Sequence, residues 1–166
     1  MIGTDQPGLV ESLSKTISDH RGSWMEARMA RLAGKFAGIL RVDVPESRAN
    51  ALTAALLAEH SQGISIIVEI APSEESAAPY RSLSLDLIGQ DRPGIVREVS
   101  QALARARANI DELETEVVDA SMSGETLFQA SVKLRVPASE PIEALRAVLE
   151  ALADELMVDI SLDETG

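Results

Sequence analysis

The chain has 166 residues, 45% of them hydrophobic and 25% charged, which excludes bulk disorder and allows a sizeable core. Lysine and arginine number 15 and aspartate and glutamate 27, so the net charge of −12 excludes phosphate backbones and anionic membrane surfaces as direct partners. There is no cysteine, which removes disulfides, thiolate metal sites and cysteine nucleophiles.

Aromatic residues are limited to Trp24, Phe36, Tyr80 and Phe128, so the core must be aliphatic. The N-terminus carries no basic-then-apolar leader, and no apolar run reaches the roughly 20 residues of a membrane span. The cytoplasm is the expected compartment. At about 150 residues per domain, the length predicts one domain.

An internal repeat revises that to two. Gly3-Thr4-Asp5-Gln6-Pro7-Gly8-Leu9-Val10 returns as Gly89-Gln90-Asp91-Arg92-Pro93-Gly94-Ile95-Val96, 86 residues later. Five of these eight positions are identical. Val44-Pro45 and Val136-Pro137 end matching apolar runs. Pro72 and Pro79 bracket a polar, small-residue stretch that reads as a linker. The expected division is a first domain over 1–71, a linker over 72–80 and a second domain over 81–166.

The elements then follow in chain order. Leu9, Val10, Leu13 and Ile17 form a helical stripe, with Gly22 as the expected C-terminal cap. Met25, Ala27 and Met29 alternate with Glu26, Arg28 and Ala30, a strand with both methionines expected in the core. A turn at Gly34 leads to a return strand from Phe36 to Val44. Leu52, Leu56 and Leu57 mark a second helix, and Ile64 to Ile70 a last strand. The second copy opens with a strand from Leu83 to Ile88, then a helix carrying Ile95, Val96, Val99 and Leu103. Leu113, Thr115 and Val117 alternate with Glu112, Glu114 and Glu116, and a turn is expected near Ser123-Gly124. The return strand runs from Leu127 to Val136. Pro141 stands at the start of a helix bearing Ile142, Leu145, Val148, Leu149 and Leu152, and Met157 to Leu162 is the last strand.

Each copy therefore reads as βαββαβ, an α+β, ferredoxin-like fold with an antiparallel sheet and both helices on one face. In that topology the first strand is central. Copy one has only Met1 and Ile2 ahead of its glycine, so its first strand is expected to be truncated. A natural chain that begins upstream, or another segment in the slot such as a neighbour's strand, would satisfy the unpaired backbone.

Gly-x-Asp-x-Pro-Gly-[Leu/Ile]-Val at a strand-to-helix turn, repeated twice in this element order, resembles the signature of the ACT domain, a ligand-sensing module. The stretch from Ser23 to Leu40 is similar to the glycine cleavage system transcriptional repressor family and its ACT-only relatives. The resemblance spans nearly the whole chain and leaves no room for a catalytic domain. It implies binding of a small amino acid, with glycine first, and action on a protein partner such as a transcription factor without touching DNA. It further implies a homodimer, because ACT domains bind ligand where two of them meet. A regulatory subunit of an amino-acid-metabolising enzyme and a ligand-free dimerisation module are the alternatives.

The residues themselves supply a mechanism. Pro7 and Pro93 are expected to start helices, and Gly8 and Gly94 let a ligand reach the backbone. The N–H groups of Gly8, Leu9, Gly94 and Ile95 suit a carboxylate. Asp5 and Asp91 suit an ammonium, or else cap their helices. Gly3 and Gly89 complete the loops as ligand contacts or supply a tight turn. Eighteen residues past each aspartate stand Ser23 and Asn109. ACT ligand sites often place an amide there, which Asn109 matches and Ser23 does not. Trp24 suits a pocket wall, a domain interface or core packing. The Glu112, Glu114, Glu116 stripe suits a basic partner, calcium or a charged, aggregation-resistant edge. Residues 80–166 hold 8 basic and 17 acidic groups against 7 and 10 in residues 1–79, so the second copy is the better dock for a basic partner. His20 and His60 are the only histidines, each near a helix end, and no catalytic motif is present. No enzyme activity, cofactor or metal is expected.

Overall fold

The computed structural model describes residues 1–59, 63–70, 79–119 and 126–164. The chain divides into two compact units, Met1–Glu74 and Glu75–Gly166. Most of the expected linker, the turn at Ser123-Gly124 and His60 lie outside the described residues.

Unit 1 contains β1 (Ile2–Thr4), α1 (Leu9–Asp19), β2 (Ser23–Leu32), β3 (Lys35–Asp43), α2 (Glu46–Ala58) and β4 (Ile64–Ser65). Unit 2 contains β5 (Tyr80–Gln90), α3 (Ile95–Arg105), β6 (Asn109–Asp119), β7 (Thr126–Pro137), α4 (Ile142–Leu156) and β8 (Val158–Glu164). The sheet orders are β2-β3-β1-β4 and β6-β7-β5-β8, and every pairing is antiparallel. Both are the ferredoxin-like arrangement, with the first strand of each unit between its third and fourth.

The first strands differ in length. β5 pairs with β7 from Tyr80 to Gln90, whereas β1 pairs with β3 only from Ile2 to Thr4. Met1 adds one further rung: its ammonium donates to Gly38 O at 2.8 Å, and Gly38 N–H donates to Met1 O at 2.9 Å. The expected last strand of copy one is correspondingly short. It pairs with β1 at Ile64 and Ser65, and residues 66–70 continue without strand pairing because β1 offers them no partners. Period-two apolarity was necessary for a strand there but not sufficient.

Core size follows strand length. In unit 2, Val132, Leu134 and Val136 of β7 are each only 1% exposed beneath α3 and α4. Counting rungs from the Gly3–Phe36 and Gly89–Phe128 pairs, their counterparts in unit 1 are Leu40, Val42 and Val44. These are only half-buried, packed at the margin of Leu13, Ile17, Leu52 and Leu56.

Three local expectations need correction. Met25 is 54% exposed. The β2–β3 register shifts between Trp24 and Glu26, a bulge that leaves Met25 without a cross-strand partner. β6 has the same shift between Ile110 and Glu112. Trp24, before the bulge, packs against the unit 1 core. Gly22 does not reverse the chain after α1; Arg21 does, at φ 60°. Gly22 is instead a point of close approach, where a Cβ would lie 3.1 Å from both Ile17 O and Val42 Cγ1. Leu57, expected on the apolar stripe of α2, is exposed, as are Val10 and Val96, expected on the stripes of α1 and α3.

Candidate functional site

Both strand-to-helix loops are built alike. Each aspartate is tied to its sheet through the main chain: Asp5 N–H donates to Gly34 O and Asp91 N–H to Thr126 O, both at 3.0 Å. The N-cap residues of α1 and α3 are Gly8 and Gly94, at φ 93° and 95°. Pro7 and Pro93 therefore precede the caps and do not occupy the first helical turn. Neither helix has a side-chain cap hydrogen bond, so Asp5 and Asp91 are not capping residues.

The first helical acceptors are the cap carbonyls. Ser12 N–H donates to Gly8 O at 2.8 Å, and Glu98 N–H to Gly94 O at 3.0 Å. The N–H groups of Leu9, Val10 and Glu11, and of Ile95, Val96 and Arg97, precede them and have no acceptor within the helix. Leu9 and Ile95, the first residues of the two helices, bury their side chains in the core. A Cβ on Gly8 would approach only Glu11 Oε2, at 3.9 Å, and one on Gly94 only Glu98 Oε1, at 3.6 Å. Each helix start is thus an open surface with polarised donors and a carboxylate beside it.

The side chains around the two loops differ. Asp5 pairs with Arg31 Nε at 2.6 Å, and Lys35 Nζ donates to Thr4 Oγ1 at 3.2 Å. Asp91 has no side-chain partner among the described residues, while Arg92 donates to Glu98 through both terminal guanidinium nitrogens. That hydrogen bond also holds the Arg92 pKa above its ordinary value. Arg31 and Lys35 were not anticipated. The available signal was Arg31 itself: after the bulge, Ala27, Met29 and Arg31 share one face of β2, and an arginine there breaks an apolar alternation.

Gly3 and Gly89 are strand residues. A Cβ on Gly3 would lie 3.2 Å from Gly63 O, and one on Gly89 3.3 Å from Val158 Cα. Their lack of a side chain lets β4 and β8 close on the central strands.

Ser23 and Asn109 lie far from the loops of their own units. Ser23 pairs with Asp43, whereas Thr4, next to Asp5, pairs with Lys35 at the other end of β3. The ten residues of β2 separate the two ends by roughly 30 Å. Asn109 likewise pairs with Arg135, eight rungs from Leu127 and the Asp91 end. Its Nδ2 donates to Asp111 Oδ1 at 3.0 Å. Arg135 also binds Asp111, at 2.7 Å, and stands over the Tyr80 ring at 5.1 Å. The fold therefore gathers Asp5, Gly8 and Leu9 at one end of unit 1, and Asp91, Gly94 and Ile95 at one end of unit 2. It leaves Ser23 and Asn109 at the opposite ends.

Two concavities of unit 2 lie outside the loop. One is lined by residues such as Val96, Ile110, Leu113 and Phe128, the other by Arg146, Glu150 and Ile160; neither includes Asp91 or Gly94. On the acidic strand, Glu112 pairs with Lys133 at 2.7 Å, and Glu114 and Glu116 stand opposite Ser131 and Gln129. No cluster of three or more potential metal ligands occurs among the described residues. No described helix is long and apolar enough to cross a membrane.

Comparison with known proteins agrees with this architecture. The profile of the ACT domain matches residues 1–69 and again 82–163. An unknown protein from Galdieria sulphuraria superposes with a TM-score of 0.87 at 30% identity, over 99% of this chain and 95% of that one. A protein described as a glycine cleavage system transcriptional repressor superposes with a TM-score of 0.72 at 17% identity, over 99% of this chain and 93% of that one, a likeness of fold. No curated protein matches the sequence.

Proposed function

The chain belongs to the ACT-domain family, with two ACT units in tandem, and from that premise we propose that it is an amino-acid-sensing regulator that acts by protein–protein contact. The observation that carries this reading is the paired helix start. Gly8 and Gly94 each open a helix start whose first N–H groups have no helical acceptor, three residues after an aspartate in the same loop, groups that suit the two charges of a zwitterion. The ligand carboxylate sits on the N–H groups at Gly94 and Ile95, and Asp91 takes the ammonium. Gly3, Asp5, Gly8 and Leu9 form the corresponding loop of the first unit, and Gly89 supports that of the second.

The open surface at each loop suits a small ligand closed in by a second copy of the chain. In such a homodimer, edge strands running antiparallel bring the Asn109 end of one copy, or its Ser23 end, to the loop of the other. Glycine is the leading ligand, by likeness to the repressor family. The protein partner is a transcription factor, reached without DNA contact, as suits a net charge of −12. The Glu114 and Glu116 end of β6 offers that partner an acidic surface. The domains run 1–71 and 81–166 with a linker between them, in a cytoplasmic, non-catalytic protein.

A second reading, a ligand-free module that only joins chains or serves as the regulatory subunit of an enzyme, is favoured in unit 1 by the Asp5–Arg31 pair. Thermal denaturation with each of the twenty amino acids separates the two. A ligand at 100 times its dissociation constant adds about 2.7 kcal/mol of stability. A shift with glycine or another small amino acid supports sensing, and no shift with any of the twenty refutes it.

A further inference from the structure

The outer faces of the two sheets, turned away from the helices, differ in chemistry. Leu40, Val42, Val44, Ile66 and Val68 pack toward the unit 1 core, so the residues that alternate with them point to the other side. Ile2, Ile39 and Ile67 stand there, 51%, 79% and 81% exposed. Ala37 and Ala30 continue the rung of Ile2 across β3 and β2, and exposed Leu32 lies at the rim.

Strand register identifies the unit 2 counterparts. Gly3 and Arg31 both pair with Phe36, and Gly89 and Val117 both pair with Phe128. Gly3 pairs with Ile64 as Gly89 does with Val158. Counted from these rungs, Ser131 replaces Ile39, Ser161 replaces Ile67, Gln129 replaces Ala37 and Glu116 replaces Ala30. Ile2 keeps an isoleucine, Ile88. Unit 2 is thus the same sheet built to face water, and unit 1 departs from it toward apolar side chains. A contiguous apolar patch rimmed by charge marks an interaction surface.

We propose that the outer face of unit 1 packs on the same face of a second copy of the chain, sheet on sheet, about a two-fold axis. Charge selects this occupant. On the face, Glu26, Asp43 and Glu69 are matched by Arg28, Lys35 and Arg41, with Arg28 paired to Glu26 at 3.3 Å, so it carries no net charge. On the unit 2 face, Asp86, Glu112, Glu114, Asp159 and Asp163 outnumber Lys133 and Arg135. Two chains of net charge −12 repel each other, and least where they meet through a neutral surface. A strongly charged partner gains nothing from such a surface.

Area sets the strength. Four strands about 4.8 Å apart give roughly 500 Å² per copy, or about 1,000 Å² in total, the lower end for a specific interface. The association is therefore reversible and concentration-dependent. It uses the broad side of the sheet and leaves the edge strands free to pair.

Sedimentation equilibrium of the full chain, from micromolar to millimolar protein, tests this. The double variant Ile39→Ser with Ile67→Ser installs the residues that unit 2 carries at these places. A two-fold contact buries each change twice, so association should weaken at least tenfold. At concentrations where the wild type is assembled, its mean mass should be about twice that of the variant. Ile39→Thr, which keeps a β-branched side chain in the strand, should weaken association in the same direction, with the circular dichroism of both variants unchanged. Leu57→Ser, an exposed apolar change on α2, should leave the mass unaltered. Equal masses for the wild type and the folded double variant at every concentration would overturn the inference, whether both are monomers or both are dimers joined by their edges.

Discussion

Gly8 and Gly94 hold φ values that the non-glycine residues avoid among the described residues. Arg21, Ala33, Arg107 and Met157 also have positive φ, but between 47° and 60°, inside the left-handed basin. At 93° and 95° the caps lie beyond it, where a Cβ is strained even with open space around it. Gly94→Ala should therefore cost about 1–2 kcal/mol, measured by urea denaturation. Asp91→Asn should change stability by less than about 0.5 kcal/mol, because no cap bond is lost. A loss of about 1 kcal/mol would instead indicate a cap. Leu85 is fully buried in the unit 2 core, and Leu85→Ala should cost about 2–5 kcal/mol.

The elements were legible where local chemistry dictates them. The Pro-Gly motif placed both helix starts within two residues, and Val44-Pro45 and Val136-Pro137 placed both strand ends. The faces of β2 were less legible. Alternation puts Met25 and Met29 on one side, and only the bulge at Trp24 separates them. A bulge adds one residue to a strand without a fixed residue type, so it leaves little trace in a single sequence. Residues 66–70 were misread because a strand needs a partner as well as a pattern. The two reasons also hid the Asp5–Arg31 pair, which depends on register across the bulge. Backbone protection should follow the pairing. In amide hydrogen exchange, Leu40 and Val42 of β3 should exchange faster than Val132 and Leu134 of β7. Equal protection would mean that a partner strand covers β3 in solution.

At the scale of the molecule, 166 residues suggested one domain and the repeat made it two. Small cores are marginal, and the core of unit 1 is the smaller. Unit 1 should therefore unfold first. Trp24, the only tryptophan, lies in unit 1, while far-UV circular dichroism reports both units. In urea, the fluorescence midpoint should fall below the dichroism midpoint. Coincident curves would show the units unfolding as one. The same repeat accounts for the charge: unit 2 carries most of the acidic excess, which suits a docking surface on a protein and opposes contact with DNA.

Ligand sensing at the helix start is tested most directly by hydrogen exchange of the full chain with and without each amino acid at saturation. Slowed exchange at residues 94–97, at residues 8–11 or at both, with one small amino acid, is the expected result. Unchanged exchange at both helix starts with all twenty would contradict it.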